Sequence, residues 1–132
     1  MEKKEILANI EQMFEDCMKI LREKSENSNL NVDLAVTSRV YSINSSLRNL
    51  SFWDFNEKRK IKKRVNEMLN LLVAQLIEEI FIIRKGKSEN KNIDINLAIK
   101  VRYGGILNLI KNYDINLTKE NELKLEEINN ML

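Results

Sequence analysis

The residue types that carry most enzymatic chemistry are sparse in this sequence. It has no histidine and a single cysteine, Cys17. Without histidine, catalytic triads, Cys/His dyads and the usual zinc and di-iron sites cannot be assembled. The sequence also contains no glycine-rich phosphate loop, EF-hand loop or CxxC pair. We therefore expect a protein that is not an enzyme and that needs no metal or other cofactor.

Acidic pairs are the remaining candidates for catalysis. Glu78 and Glu79 lie within one apolar segment, and Glu126 and Glu127 lie near the end of the chain. Both pairs occupy helical positions, and neither has a convergent partner in the pattern. We expect these four carboxylates to lie on the surface and not to form an acid–base site.

A basic run, KRKIKKR, is the strongest candidate for binding. It covers residues 58–64 and follows the aromatic segment SFWDF at residues 51–55. Seven consecutive helical residues encircle the helix, so the pattern predicts a basic collar with Ile61 pointing inward. We expect Phe52 in the core and Trp53 exposed. The candidate polyanion-binding residues are Lys58, Arg59, Lys60, Lys62, Lys63, Arg64 and Trp53.

Three interpretations of this run remain open. The first is a solvated helix beside intramolecular acids such as Glu120, Glu122, Glu126 and Glu127. The second is nucleic-acid binding, with cations on phosphates and the tryptophan ring stacked on a base. The third is an acidic protein partner. Net charge is only +2, so overall charge favours none of them.

A second candidate set comes from a segment that occurs twice in the chain with a similar sequence. Residues 24–39 read KSENSNLNVDLAVTSR, and residues 87–102, 63 positions later, read KSENKNIDINLAIKVR. Each copy ends in an arginine on an otherwise small or apolar helical stripe. This arginine either pairs with its own connecting loop and locks the corner, or binds a small anionic ligand. The residues involved are Arg39, Arg102, Lys24, Lys87, Ser25 and Ser88.

The similarity extends beyond these segments and predicts the architecture. Residues 1–69 and 64–132 align without a gap, which indicates a duplicated helical hairpin within one domain, residues 1–132. Proline is absent and glycine is rare, as is typical of an all-α chain. We expect about five helices forming a compact bundle or a short array around a long central helix.

Apolar periodicity and capping residues place the helices. We expect the central helix to end at Gly86 in a left-handed conformation and Gly104 and Gly105 to permit a close helix contact or a kink. The predicted ranges are 3–24, from Asn29 or Asn31 to about 50, 54–85, 95–113, and from the cap Thr118 to Met131.

The location and partners follow from these observations. Cys17 falls among Phe14, Met18 and other apolar residues, so we interpret it as a buried thiol in a reducing cytoplasm. No signal peptide is visible, and residues 69–83 are too short and too acidic in the middle for a membrane span. We expect a cytoplasmic binding protein, an adaptor, regulator or inhibitor, that contacts another protein and alternatively forms a homodimer, but does not bind a membrane.

Overall fold

The computed structural model describes residues 2–23, 31–86 and 94–132. Within these ranges the protein is all-helical, with five α-helices and no β-strand, which confirms the all-α part of the prediction. One short 3₁₀ helix, Phe52–Asp54, precedes the longest helix. The α-helices are α1 (Lys3–Arg22), α2 (Val32–Leu47), α3 (Phe55–Lys85), α4 (Ile95–Tyr113) and α5 (Lys119–Met131).

The chain divides into two compact units. Unit 1 comprises Met1–Met68 and unit 2 comprises Leu69–Leu132. The division falls inside α3, so the first part of this helix belongs to unit 1 and the remainder to unit 2. Helices α1 and α2 pack against each other in unit 1.

Polar side chains define where the helices begin. Asn31 and Asp94 each accept a hydrogen bond from the backbone N–H three residues later and cap α2 and α4. Thr118 caps α5 in the same way. Ser51 and Asp54 form a reciprocal capping box at the start of the 3₁₀ helix. Such side-chain acceptors satisfy N–H groups that have no partner inside the helix.

Two helix ends differ from the sequence-based predictions. Helix α1 ends at Arg22, two residues before Lys24. Gly86 lies in a 3₁₀ turn without a positive φ, so the expected left-handed cap is wrong. Asp114 instead ends α4 in the left-handed conformation, at φ 50°. Its backbone N–H, and that of Ile115, bond to carbonyls of the last turn. Aspartate tolerates this conformation better than most residues.

Each unit has its own apolar core. In unit 1, one stripe of α1 faces one stripe of α2, and the start of α3 adds a third set of apolar side chains. Burying one such side chain contributes about 2 kcal/mol. The fully buried members in unit 1 include Ile10, Cys17, Val36, Val40 and Ile43, and those in unit 2 include Leu69, Leu72, Val73, Ile77, Ile80, Ile106 and Ile128.

A buried polar network in unit 2 joins α5 to α3. The Asn70 side chain donates to the carbonyl of Asn116 at 2.8 Å and accepts from the backbone N–H of Thr118 at 2.9 Å. The Asn121 amide donates to both the backbone carbonyl and the side-chain oxygen of Asn70, at 2.9 and 3.1 Å. Both asparagines are buried. The network fixes the start of α5 against α3, since the two buried asparagine side chains bond to each other and to the backbone at residues 116 and 118.

The paired glycines of α4 do not meet a neighbouring element. Helix α4 continues through Gly104 and Gly105, and a Cβ built at either position has nothing within 4 Å. The close helix contact predicted from the sequence is therefore wrong. These glycines lower the helix propensity of α4 without a packing reason.

The described residues were searched for two further features, a membrane-spanning helix and a metal site. No helix in residues 2–23, 31–86 and 94–132 has both the length and the hydropathy that a bilayer span requires. The same ranges contain no cluster of three or more His, Cys, Asp or Glu residues able to hold a metal ion.

Candidate binding surface

The basic collar lies on the first two turns of α3, and the core of unit 1 determines which way each residue points. Ile61 and Val65 are buried, as predicted for Ile61, and turn the helix so that positions 59 and 63 face outward. The six cations of the collar therefore have different environments. Lys58 is half-buried, whereas Arg64 and the other four are exposed, and Arg64 alone among these exposed cations is paired with an acid of α1.

Arg64 is held by α1. Its guanidinium donates two hydrogen bonds to the Glu11 carboxylate, at 2.7 and 3.0 Å, and lies 4.1 Å from the centroid of the Phe14 ring. The hydrogen bonds from Arg64 lower the pKa of Glu11, and the same contact raises the pKa of Arg64. A planar guanidinium suits both the paired hydrogen bonds and the ring stacking. Arg64 thus ties α3 to α1.

Replacing Arg64 by methionine should lower the free energy of unfolding by about 1 kcal/mol, since it removes an exposed ion pair and one cation–π contact. Urea denaturation at pH 7 measures the loss. Because the pKa of Glu11 is depressed in the folded state, the stabilisation is present above the ordinary glutamate value of about 4.3 and should fade as the pH falls below it. The neighbouring exposed Lys63→Met is the matched control, and an equal loss in both variants would contradict the role of Arg64.

Lys58 lies at the edge of a second anchor. The Lys3 ammonium contacts Asp54 at 2.8 Å and Glu57 at 2.9 Å. Hydrogen bonds to Asp54 and then Glu57 raise the pKa of Lys3, and that from Lys3 lowers the pKa of Asp54, to which Lys58 adds a weaker charge effect. These acids occupy the interior side of the helix start. They leave the outward side basic.

Four cations of the collar are exposed and make no ion pair with another described residue of unit 1. Arg59 and Lys63 are four residues apart, and Lys62 is three residues from Arg59, so these three share one face of the helix. Lys60 lies on the flank of that face. The outward part of the collar is therefore Arg59, Lys60, Lys62 and Lys63.

Aromatic residues extend this face toward the start of the helix. Phe55, four residues before Arg59, is 52% exposed, and Trp53 is 81% exposed, as predicted for the tryptophan. Phe52 is 79% exposed, so its predicted place in the core is wrong. The Phe52 and Trp53 rings pack edge to face, with centroids 5.6 Å apart. Such a pair favours an exposed ring cluster over two independent side chains.

The misplacement of Phe52 has a cause in the backbone. Ile115, 63 positions after Phe52 in the chain, is buried and follows the left-handed residue Asp114. Phe52 instead follows Ser51, whose backbone is extended, and opens the 3₁₀ turn. The two residues therefore leave their preceding segments in different directions. A sequence alignment of the halves compares residue types and does not reveal this difference.

These exposed residues lie on the 3₁₀ helix and on the adjoining start of α3, and we treat them as one candidate surface with an aromatic end and a basic end. We call it the aromatic–basic surface, and it belongs to unit 1. Large exposed aromatic side chains bordered by charges are a common mark of an interaction site. Its members are Phe52, Trp53, Phe55, Arg59, Lys60, Lys62 and Lys63.

The repeated arginines lie elsewhere and are not gathered into this surface. Arg39 donates to the Ala35 carbonyl of its own helix at 2.9 Å and lies 4.0 Å from the Asp16 carboxylate on α1. Arg102 donates to the Ala98 carbonyl at 3.3 Å. The other members of this predicted set, Lys24, Ser25, Lys87 and Ser88, and the connecting loops expected to pair with the arginines lie outside the described residues.

Cys17 has the environment of an inert core thiol. It is completely buried, and its thiol lies 3.9 Å from the Val36 carbonyl oxygen. Burial, opposed by the nearby charge of Arg39, raises the pKa of Cys17 to about 11. A thiolate is the reactive form, so this site disfavours nucleophilic chemistry.

Sequence reasoning missed the polar network around Asn70, because asparagine inside an apolar run carries no periodic signal.

Comparison with protein-family models, with curated proteins and with solved structures finds no match to this chain. The site must therefore be interpreted from its own geometry.

Proposed function

We propose that the protein is a non-catalytic binding protein of the cytoplasm, and that it contacts another protein through the aromatic–basic surface. The observation that carries this proposal is the exposed Phe52–Trp53 pair, continued by Phe55 along α3. Three large exposed rings lose apolar contact with water when a partner covers them. An adaptor, regulator or inhibitor needs such a surface and no catalytic group.

The charges beside the rings select the kind of partner. Arg59, Lys62 and Lys63 border the aromatic end on the outward face of α3. Protein interfaces typically bury an aromatic centre and leave a polar rim. A partner segment with an apolar centre and carboxylates around it would complement both parts. Rim charges of this kind accelerate association and select the partner more than they add affinity.

A peptide selection tests the proposal. A random displayed peptide library is selected on the immobilised chain, and enriched peptides are measured by fluorescence anisotropy. We expect peptides that combine apolar residues with Asp or Glu, and an affinity loss of at least tenfold for Trp53→Ala, consistent with a central aromatic contact. Leu97→Ala, an exposed apolar truncation on α4, is the matched control. Enrichment of nothing, or equal binding to both variants, would reject the surface.

Nucleic acid is the second candidate, because an exposed Trp53 lies beside cations that have no acidic partner in the described part of unit 1. Lysine and arginine would contact phosphates and the indole ring would stack on a base. A fluorescent single-stranded oligonucleotide provides the test. Binding that weakens steeply with salt and disappears in Arg59→Glu/Lys63→Glu would favour this candidate over the protein partner. Arg39 and Arg102 are engaged with their own helices and are not part of either proposal.

We further propose that the chain arose by duplication of a helical hairpin with a period of 63 residues, and that each half forms a small bundle. Burial supports this proposal: for four residues of α1, both the residue and the one 63 positions later on α3 are buried. The caps support it too, since Asn31 and Asp94 are also 63 positions apart and make the same bond. The buried pairs are Ile6 with Leu69, Ile10 with Val73, Phe14 with Ile77 and Cys17 with Ile80.

A further inference from the structure

An acidic face on α5 has the opposite character to the aromatic–basic surface. Leu123 is 51% exposed, although this helix already buries Leu125 and Ile128. Glu126 and Glu127 lie three and four residues after Leu123, on the same side of the helix, and Glu122 adjoins it. All three carboxylates are exposed. We call Glu122, Leu123, Glu126 and Glu127 the acidic face.

The charges of this helix leave the acidic face negative. Within unit 2, Lys124 pairs with Glu120 at 3.1 Å. Lys119 lies four residues before Leu123 and is exposed. Glu122, Glu126 and Glu127 make no ion pair within the described part of unit 2. The face therefore presents an apolar residue bordered by unpaired carboxylates.

We infer that the aromatic–basic surface of one molecule binds the acidic face of a second copy of the same chain. The inference rests on the proposed function, since it names the partner of that surface. Its basis is complementarity: exposed rings bordered by cations on unit 1 would meet an exposed leucine bordered by carboxylates on unit 2. Every copy carries both surfaces, so the partner is always present at the concentration of the protein.

The geometry of such a contact predicts the assembly. The two surfaces are different patches, so one contact joins unlike surfaces. Two copies that make the contact reciprocally form a twofold dimer with an isologous interface, whereas copies that make it head to tail form rings or open chains. In either case, association depends on protein concentration and weakens with salt, because exposed charges separated by solvent are screened.

Charge reversal with rescue tests the inference on the 132-residue chain. The variants are Arg59→Glu/Lys63→Glu on the aromatic–basic surface and Glu122→Lys/Glu126→Lys on the acidic face. Each reverses two exposed charges. Lys4→Glu/Lys111→Glu, which reverses two exposed lysines elsewhere, is the matched control. Circular dichroism verifies that all three remain helical, and light scattering across a concentration series measures the mass.

We expect the wild type and the control to associate at low salt and each reversed variant to associate at least tenfold more weakly. An equimolar mixture of the two reversed variants should regain association, because each supplies the charge that the other now lacks. A monomeric wild type, unaltered association of either reversed variant, or a mixture that stays monomeric would overturn the inference.

The same experiment separates failure of the inference from failure of the proposed function. If the wild type stays monomeric while peptides from the selection bind it and fail to bind Trp53→Ala, the surface binds a protein other than its own copy. If neither peptides nor a second copy depend on Trp53, the proposed function fails as well. Self-association that persists in Trp53→Ala but disappears on charge reversal would also reject the inference, since the rings are part of the contact.

Discussion

Alanine at position 70 is expected to lower the free energy of unfolding of unit 2 by roughly 3 kcal/mol. The Asn70 amide bonds to the Asn116 carbonyl, the Thr118 N–H and the Asn121 side chain, at 2.8 to 3.1 Å. Its removal takes these bonds from the Asn116 carbonyl and the Thr118 N–H, and it leaves the Asn121 amide with only its bond to the backbone carbonyl of residue 70. The cost of such unsatisfied groups exceeds the modest net gain of the hydrogen bonds themselves.

Hydrogen exchange and urea denaturation together measure this effect. Amides of α5 should exchange faster in Asn70→Ala, because Thr118 and Asn121, at the start of that helix, lose their bonds to the Asn70 side chain. Asn129→Ala is the matched control, since Asn129 is an exposed asparagine on the same helix. A stability loss below about 0.5 kcal/mol in the control is expected for a surface site. Equal losses in the two variants would show that the network contributes nothing specific.

The second large effect has the opposite sign. Replacing Gly104 and Gly105 together by alanine should raise the free energy of unfolding of unit 2 by about 2 kcal/mol, near 1 for each position. Both lie inside α4 without a positive φ, and an added Cβ meets nothing within 4 Å. Alanine loses less backbone entropy on folding and introduces no clash, so the gain arises chiefly in the unfolded chain.

Thermal denaturation measures the gain, and Gly86→Ala is its control. A Cβ at Gly86 also has open space, but this residue lies beyond the last residue of α3, where helix propensity contributes little. We expect a higher melting temperature for the Gly104/Gly105 variant and almost no change for Gly86→Ala. A lower melting temperature for the double variant would mean that the two glycines permit a close helix contact, as the sequence predicted.

The helices were predicted largely from local signals in the sequence, namely capping residues and apolar periodicity. The predicted bounds of α4 and the cap of α5 match the structure. Asp94 and Thr118 cap the starts of these helices, and each side chain accepts a hydrogen bond from the backbone N–H three residues later. Inward-pointing Ile61 followed from helical geometry in the same manner. Such features depend on nearest neighbours in the chain, which a sequence displays directly.

Features that depend on distant residues were not accessible. Arg64 looked like one member of a basic run, but Glu11, 53 positions away, binds it. Asn70 pairs with residues about 50 positions later. Phe52 and the left-handed end at Asp114 depend on backbone conformations that the residue types did not single out. The aromatic–basic surface was therefore predicted in outline, and its membership required coordinates.

The labelling rate of Cys17, the single thiol, can report how often unit 1 opens. A small disulfide reagent can label Cys17 only when the helices around it separate, since the side chain is buried and its pKa is about 11. The labelling rate in native buffer thus counts transient openings of unit 1 without any foreign probe. Trp53 fluorescence cannot supply that count, because the indole is already in contact with water in the folded state.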